Sequence, residues 1–188
     1  MSTALRQHIE QIVTLTDDEF EFVLPHFTPK KFKKHQFVVQ EGNYVEHEYF
    51  VIKGLLKAAY NNGDGKEHII QFAMENWWIT DYQAYVNRAT ATLNIDCIEA
   101  AELLCLSAEN KTKLCAGLYK MEHFFRVKAT SGYIALQQRV LSLLNNDART
   151  RYQQLFEQYP ALFQRVPKAL IAAYLGLSRE TLSRFSDG

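Results

Sequence analysis

The apolar residues of this chain change period at about Pro29 and again at Ser107, and those changes bound what the chain can fold into. From about Pro29 to Ser107 they come in short runs: Phe37–Val39, Tyr49–Ile52, Leu55–Tyr60, His68–Phe72, Leu93–Ile98 and Leu103–Leu106. These runs are rich in β-branched and aromatic side chains, which suit a pleated, half-buried surface. Gly42 and Gly54 sit between runs, and Asn61-Asn62-Gly63-Asp64-Gly65 is a hairpin signal because those residues tolerate positive φ. At least six short strands at this spacing predict a closed or nearly closed antiparallel roll. From Ala108 to Leu144 there is no proline and the period is helical, which predicts a short helix over 108–117 and a long one over 119–144. In the long helix Phe125, Ala129, Gly132, Leu136, Val140 and Leu143 form one stripe; Met121, Phe124, Ile134, Leu141 and Leu144 form a second. A helix with two apolar faces is expected to be buried on both sides, one face on the roll and the other on a second subunit, although packing on the roll alone accounts for one stripe.

The flanks are helical too. Leu5 to Ile12 has helical spacing, and Thr16-Asp17-Asp18-Glu19 is a capping box. Asn145-Asn146-Asp147 breaks the long helix, Asp147 can cap a new one over 148–159, and Pro160 is expected to end it. Val166 to Leu175 follows with a proline near its first turn, Gly176 stops it, and Ser178 caps a last short helix, Arg179–Phe185. That order is a helix-turn-helix. The class is α+β, with a roll and N-terminal helices over 1–118, a long helix and hinge over 119–146, and a C-terminal helical domain over 147–188.

Charge and motifs exclude several functions. Lys and Arg number 21, as do Asp and Glu, so no function rests on bulk charge, and any nucleic-acid contact is local. The segment 147–188 holds six basic and four acidic residues, a slight local excess. Three cysteines (Cys97, Cys105, Cys115) without C-x-x-C spacing write neither a disulfide framework nor a zinc knuckle, which fits a reduced cytoplasm. No apolar run reaches the roughly 20 residues of a bilayer span, and the start lacks a signal-peptide layout, so no membrane role is expected. A cupin-type enzyme would share the roll but needs His-x-His, and Tyr49 follows Glu48 where the second His would stand after His47. Gly-x-Ser-x-Gly, Walker and His-Glu-x-x-His motifs are absent as well, so the expectation is a non-enzyme with no metal site.

The sharpest constellation is Ile171 to Arg184. Leu177 and Leu182 can fill the core between two helices, leaving Ser178, Arg179, Glu180, Thr181, Ser183 and Arg184 near the exposed face. Arg can grip guanine O6 and N7 as a fork, Glu can accept from cytosine N4, and Ser or Thr can hold phosphate, so these six are the candidate DNA-binding residues. Ser178-Arg179-Glu180-Thr181 through Arg184 resembles the recognition helix of the Crp/Fnr family of bacterial transcription regulators, and Arg165 to Arg184 resembles the branch common in Bacteroidetes. The resemblance runs over nearly the whole chain. It implies a cyclic-nucleotide-binding-type, jelly-roll-like β-roll as sensor, a long dimerisation helix and a C-terminal helix-turn-helix domain. It also implies a homodimer on double-stranded DNA, a small-molecule effector and contact with RNA polymerase.

The sensor half departs from the cyclic-nucleotide binders of that family. They carry Gly-Glu-Leu, whose Glu takes the ribose hydroxyl, and then Arg-Ser-Ala, whose Arg neutralises the phosphate. Here Ile79-Thr80-Asp81-Tyr82 stands at the first motif and Ala91-Thr92 at the second; Arg88 matches only if the loop is shorter. Tight cyclic AMP binding is therefore not expected, and no other cofactor is indicated. The N-terminal cysteine cluster of iron-sulfur relatives is absent too. Trp77 and Trp78, with Thr80, Asp81, Tyr82, Arg88, Ala91 and Thr92, are the candidate ligand pocket, the tryptophans being explained equally by core packing. After Arg184 comes only Phe185-Ser186-Asp187-Gly188, with no β-hairpin wing. The alternative is therefore a ligand-binding or interaction module that has lost DNA binding.

Overall fold

A computed structural model describes residues 2–63, 65 and 67–186. The chain opens with α1 (Ser2–Glu10), α2 (Asp17–Val23) and a 3-10 turn (Leu24–His26). Strands β1 (Phe27–Phe32), β2 (Phe37–Val39), β3 (His47–Lys53), β4 (Leu56–Asn61), β5 (Glu67–Ala73) and β6 (Trp78–Ile79) follow. Then come α3 (Tyr82–Asn87), β7 (Asn94–Cys97) and β8 (Ala101–Ser107). Six helices finish the described chain: α4 (Ala108–Gly117), α5 (Tyr119–Asn145), α6 (Ala148–Gln158), α7 (Pro160–Arg165), α8 (Lys168–Leu175) and α9 (Arg179–Ser186). Asp64, in the expected hairpin turn, and the last two residues, Asp187 and Gly188, lie outside the described residues.

The strands form two four-stranded sheets, β1-β8-β3-β6 and β2-β7-β4-β5, which make the antiparallel roll. All six expected runs are strands. The two further ones, β1 and β6, have no apolar run of their own. β1 carries Pro29, Lys30 and Lys31, and it lies at a sheet edge against β8, where a proline breaks no ladder and lysines blunt the edge. At Gly54, φ is +106° and an added Cβ would stand 2.6 Å from the Ala100 carbonyl oxygen, so only glycine fits this close approach.

The chain forms two compact units, one of residues 1–59 with 71–129 and the other of residues 60–70 with 130–188. In the first, alternation along β3 and β8 feeds two cores. Tyr49, Val51, Leu103 and Cys105 point into the roll with Leu56, Ala58, Ile79 and Ile95. Phe50, Leu104 and Leu106 point the other way, onto Leu5 and Ile9 of α1, Leu114 of α4 and Phe124 of α5. A sheet covered on both faces explains why its strands read as unbroken apolar runs. The Thr16 capping box forms as expected: Glu19 N–H donates to Thr16 Oγ1 at 3.2 Å, and Thr16 N–H to Glu19 Oε2 at 2.8 Å. Cys97 and Cys105 are buried, and burial pushes both thiols up to about 11, which keeps them protonated and unreactive.

In the second unit Leu155, Leu162, Val166, Ile171, Ala172, Leu175 and Leu182 make a small core. Asp147 caps α6, accepting from Thr150 N–H at 2.8 Å. Pro160 does not merely end α6; it opens α7 as its first residue, where the missing N–H would be unsatisfied in any case. Within the protomer the long helix is buried only near its start. Met121, Phe124 and Phe125 are buried, but every residue from Ala129 to Gln138 is exposed. Ile134, Leu136, Val140, Leu141, Leu143 and Leu144, drawn from both stripes, face solvent in the protomer.

Candidate functional site

Asp81 is the best-defined polar group of the roll. It is 2% exposed and caps α3, its Oδ1 accepting from Ala84 N–H at 3.1 Å. Its Oδ2 accepts from Thr92 N–H at 2.8 Å, Thr92 Oγ1 at 3.1 Å and Leu93 N–H at 3.1 Å. Four donors make a cradle that satisfies both oxygens of the buried carboxyl group. The structure thus brings Asp81 and Thr92 together. Ala91 is buried beside them, its N–H donating to Asn43 O at 2.8 Å and its carbonyl accepting from Gly42 N–H at 2.9 Å.

The other pocket candidates go elsewhere. Thr80 is buried with its hydroxyl on His47 O at 2.9 Å, and Tyr82 is exposed. Trp77 packs on the roll core, whereas Trp78, one residue on, points to the opposite face of β6. There Trp78 stacks among Phe27, Phe50, Phe124 and Phe125, and its Nε1–H donates to His8 Nε2 at 3.1 Å. Trp78 is therefore a core residue under α1 and α5 and not a wall of the roll interior. Arg88 sits at φ +51° as the C-cap of α3 and lines a cleft with Tyr85, Lys111, Cys115 and Phe125. It is not among the four donors to Asp81.

Sequence reasoning missed one buried ion pair in this unit. Glu48 on β3 is 2% exposed, and Lys111 Nζ lies 2.8 Å from its Oε1 and 4.4 Å from the Phe125 ring centroid. Desolvation pushes the carboxyl up from its ordinary range and Lys111 holds it back. The only sequence signal is a charged residue inside an apolar run.

The C-terminal helices are positioned by their turn. Gly176, at φ +69°, closes α8 with its N–H on the Ala172 and Ala173 carbonyls, and Ser178 Oγ accepts from Thr181 N–H at 3.2 Å to cap α9. Leu182 is buried and Phe185 lies against Tyr152 of α6 at 5.8 Å between centroids, which fixes which face of α9 turns inward. Ser178, Arg179, Glu180 and Arg184 are exposed, and Thr181 and Ser183 are half-buried. Hydrogen bonds at the helix start and the nearby Arg179 and Arg184 hold the Glu180 carboxyl below its usual range, so it is an acceptor at neutral pH.

Residues 29–117 match the cyclic nucleotide-binding domain family. The matched segment runs from β1 to the end of α4. Solved structures extend the likeness along the chain. FixK2 from Bradyrhizobium japonicum is 18% identical with a TM-score of 0.74, over 86% of this chain and 83% of that one. The global regulator CLP of Xanthomonas campestris, described as c-di-GMP responsive, is 16% identical with a TM-score of 0.73, over 92% and 90%. The catabolite activator protein of Thermus thermophilus is 19% identical with a TM-score of 0.57, over 92% and 83%. These neighbours are Crp/Fnr-type regulators, and at such identities the likeness is one of fold. No curated protein matches the chain by sequence. The matched segment holds Asp81 and Thr92; the C-terminal helices lie beyond it. Among the described residues no group of His, Cys, Asp or Glu is arranged to hold a metal ion, and no helix is long and apolar enough to cross a membrane.

Proposed function

We propose that the chain is a Crp/Fnr-type transcription regulator that pairs with a second copy through α5 and reads double-stranded DNA with α9. The observation that carries this reading is the pairing of an inward face, Leu182 and Phe185, with an outward face, Arg179, Glu180 and Arg184, on a short capped helix. A helix packed this way presents its N-terminal turns to a major groove, with arginines spaced for base edges and small hydroxyls for phosphate. Two copies joined through α5 would read half-sites about one helical turn apart. The exposed apolar residues of α5 support that pairing, because a soluble protomer rarely leaves such a run uncovered. RNA polymerase is the partner such a regulator would engage.

Cyclic AMP is not the effector in this reading. The Thr92 and Leu93 donors hold Asp81, and Ala91 stands where the phosphate-binding Arg of nucleotide binders is expected. An added phosphate would meet a carboxylate already in place.

The test is selection from a randomised duplex pool at one fixed moderate salt concentration, with and without cyclic AMP, alongside the Arg179→Ala and Arg184→Ala proteins. Fixed salt matters because phosphate contacts make affinity strongly salt-dependent. The expected result is an enriched pseudo-palindrome, indifferent to the nucleotide, with either substitution costing about 1–3 kcal/mol and relaxing preference at its base. No enrichment, or unchanged preference in both variants, overturns the assignment.

A further inference from the structure

The second unit contains a cavity of about 700 Å³ walled by α5, α6 and α8, a size that suits a nucleotide-sized molecule. Two of its lining residues are arginines, and both end on neutral main-chain oxygens. Arg139 donates to the carbonyls of Ile69, Ile70 and Tyr174, the last two groups reached by Nη1 and by Nη2 at 3.0 Å, and its guanidinium lies 3.8 Å from the Tyr174 ring centroid. Arg151 donates to Leu175 O at 3.2 Å and Asn146 O at 2.7 Å. Among the described residues neither forms an ion pair. Asp147 lies close enough to feel Arg151, but its carboxylate is committed to the Thr150 N–H, and Glu157 is the one carboxylate lining the cavity. Carbonyl oxygens orient a guanidinium without cancelling its charge, and burial pushes Arg139 below its ordinary pKa for that reason. Beside the arginines, Ser142, Asn146 and Gln154 form a connected polar edge at 2.9–3.1 Å.

We propose that this cavity binds a small polar molecule carrying an oxyanion, a phosphate or a carboxylate, with Arg139 and Arg151 as its charge partners and the Ser142-Asn146-Gln154 edge as its hydrogen-bonding side. Guanidinium forks suit both oxyanions; Arg139 is held by neutral groups alone, main-chain carbonyls and the Tyr174 side chain, and Arg151 spends only Nε and Nη1 on carbonyls. An oxyanion on Arg139 competes with the carbonyl of Tyr174, so its arrival loosens the hold on α8, the helix that precedes α9. That consequence for DNA rests on the regulator reading; the site itself does not.

The test is isothermal titration of the full chain with sodium pyrophosphate and, separately, sodium citrate, against sodium chloride at matched ionic strength. Saturable binding of either anion beyond the chloride control is expected, pyrophosphate alone indicating a phosphate ligand and citrate alone a carboxylate one. Arg151→Gln should weaken it about tenfold, the loss of one charge-assisted contact. Gln138→Trp, an exposed position on the α5 wall, should fill the cavity and abolish it. These two variants carry the test if Arg139→Gln does not fold. No heat above the control, or the same affinity in both variants, overturns the site. Since binding is read without DNA, a failed duplex selection with anion binding intact removes the regulator reading and leaves the site standing.

Discussion

In the first unit every buried charge has an answer close by. Asp81 meets four donors, Glu48 meets Lys111, and Lys57 meets Asp96 at 3.2 Å. In the second unit Arg139 and Arg151 rest on neutral carbonyls, and α5 runs exposed on all sides from Ala129 to Gln138. The first unit pairs its buried charges and buries two apolar cores, one on each face of the β3–β8 sheet. The C-terminal helices leave apolar side chains of α5 exposed and two arginines without an ion pair among the described residues.

Three substitutions bear on that contrast, the strongest first. Asp81→Ala strands the buried Ala84 N–H and the half-buried Leu93 N–H, leaves the two donors of exposed Thr92 to water, and should cost about 2–4 kcal/mol in chemical denaturation, with Asp81→Asn losing less because the amide oxygen still accepts. A loss under about 1 kcal/mol would mean that the cradle does not hold the roll together.

Next, the pair Leu136→Glu and Val140→Glu places charge on the open side of α5. Loss of two apolar contacts at about 1.5 kcal/mol each predicts roughly a hundredfold weaker dimer, read by light scattering over a dilution series. Circular dichroism should be unchanged, since both side chains are exposed in the protomer. A dimer of undiminished affinity would place the subunit contact elsewhere.

The smallest effect concerns acid. His8 is buried, stacked on Phe50 at 4.8 Å, and burial, with Lys128 adding to it, lowers its pKa to about 4. Between that value and the ordinary His value the unfolded chain binds a proton that the folded one refuses. The contribution of neutral His8 is thus fully present above about pH 6.5 and is lost as pH falls towards 4, about 2 kcal/mol by pH 5. Glu48, pushed upward, acts with the opposite sign, so the readout is the difference in pH dependence between the parent and His8→Phe. Parallel stability curves would show that His8 does not titrate as its burial implies.

Local signals were legible in the sequence because their chemistry is local. The Thr16 box, the Asp147 cap, the Gly176 stop and the Ser178 cap each join residues three or four apart, and each forms as expected. The six apolar runs became strands for the same reason, and the bounds of α4 and α5 followed from proline-free helical spacing. β1 was not legible, because an edge strand needs no apolar run and its lysines read as a loop. Trp77 and Trp78 looked like one aromatic patch, yet adjacent strand residues face opposite sides and the two belong to different cores.

The candidate site divides along the same line. That Asp81 caps α3 is a three-residue matter; that its other oxygen gathers Thr92 and Leu93 depends on the path of the chain between them. The Glu48–Lys111 pair spans β3 and α4, and Arg139 finds its carbonyls on β5 and α8. The sequence by itself determined six of the strands, the long helices, their caps and the order of roll, long helix and capped helix pair, since propensity, period and capping act within a few residues. Which polar groups answer one another, and which faces of α5 stay open, was decided only by tertiary structure, because burial and pairing depend on what distant segments bring to the same place.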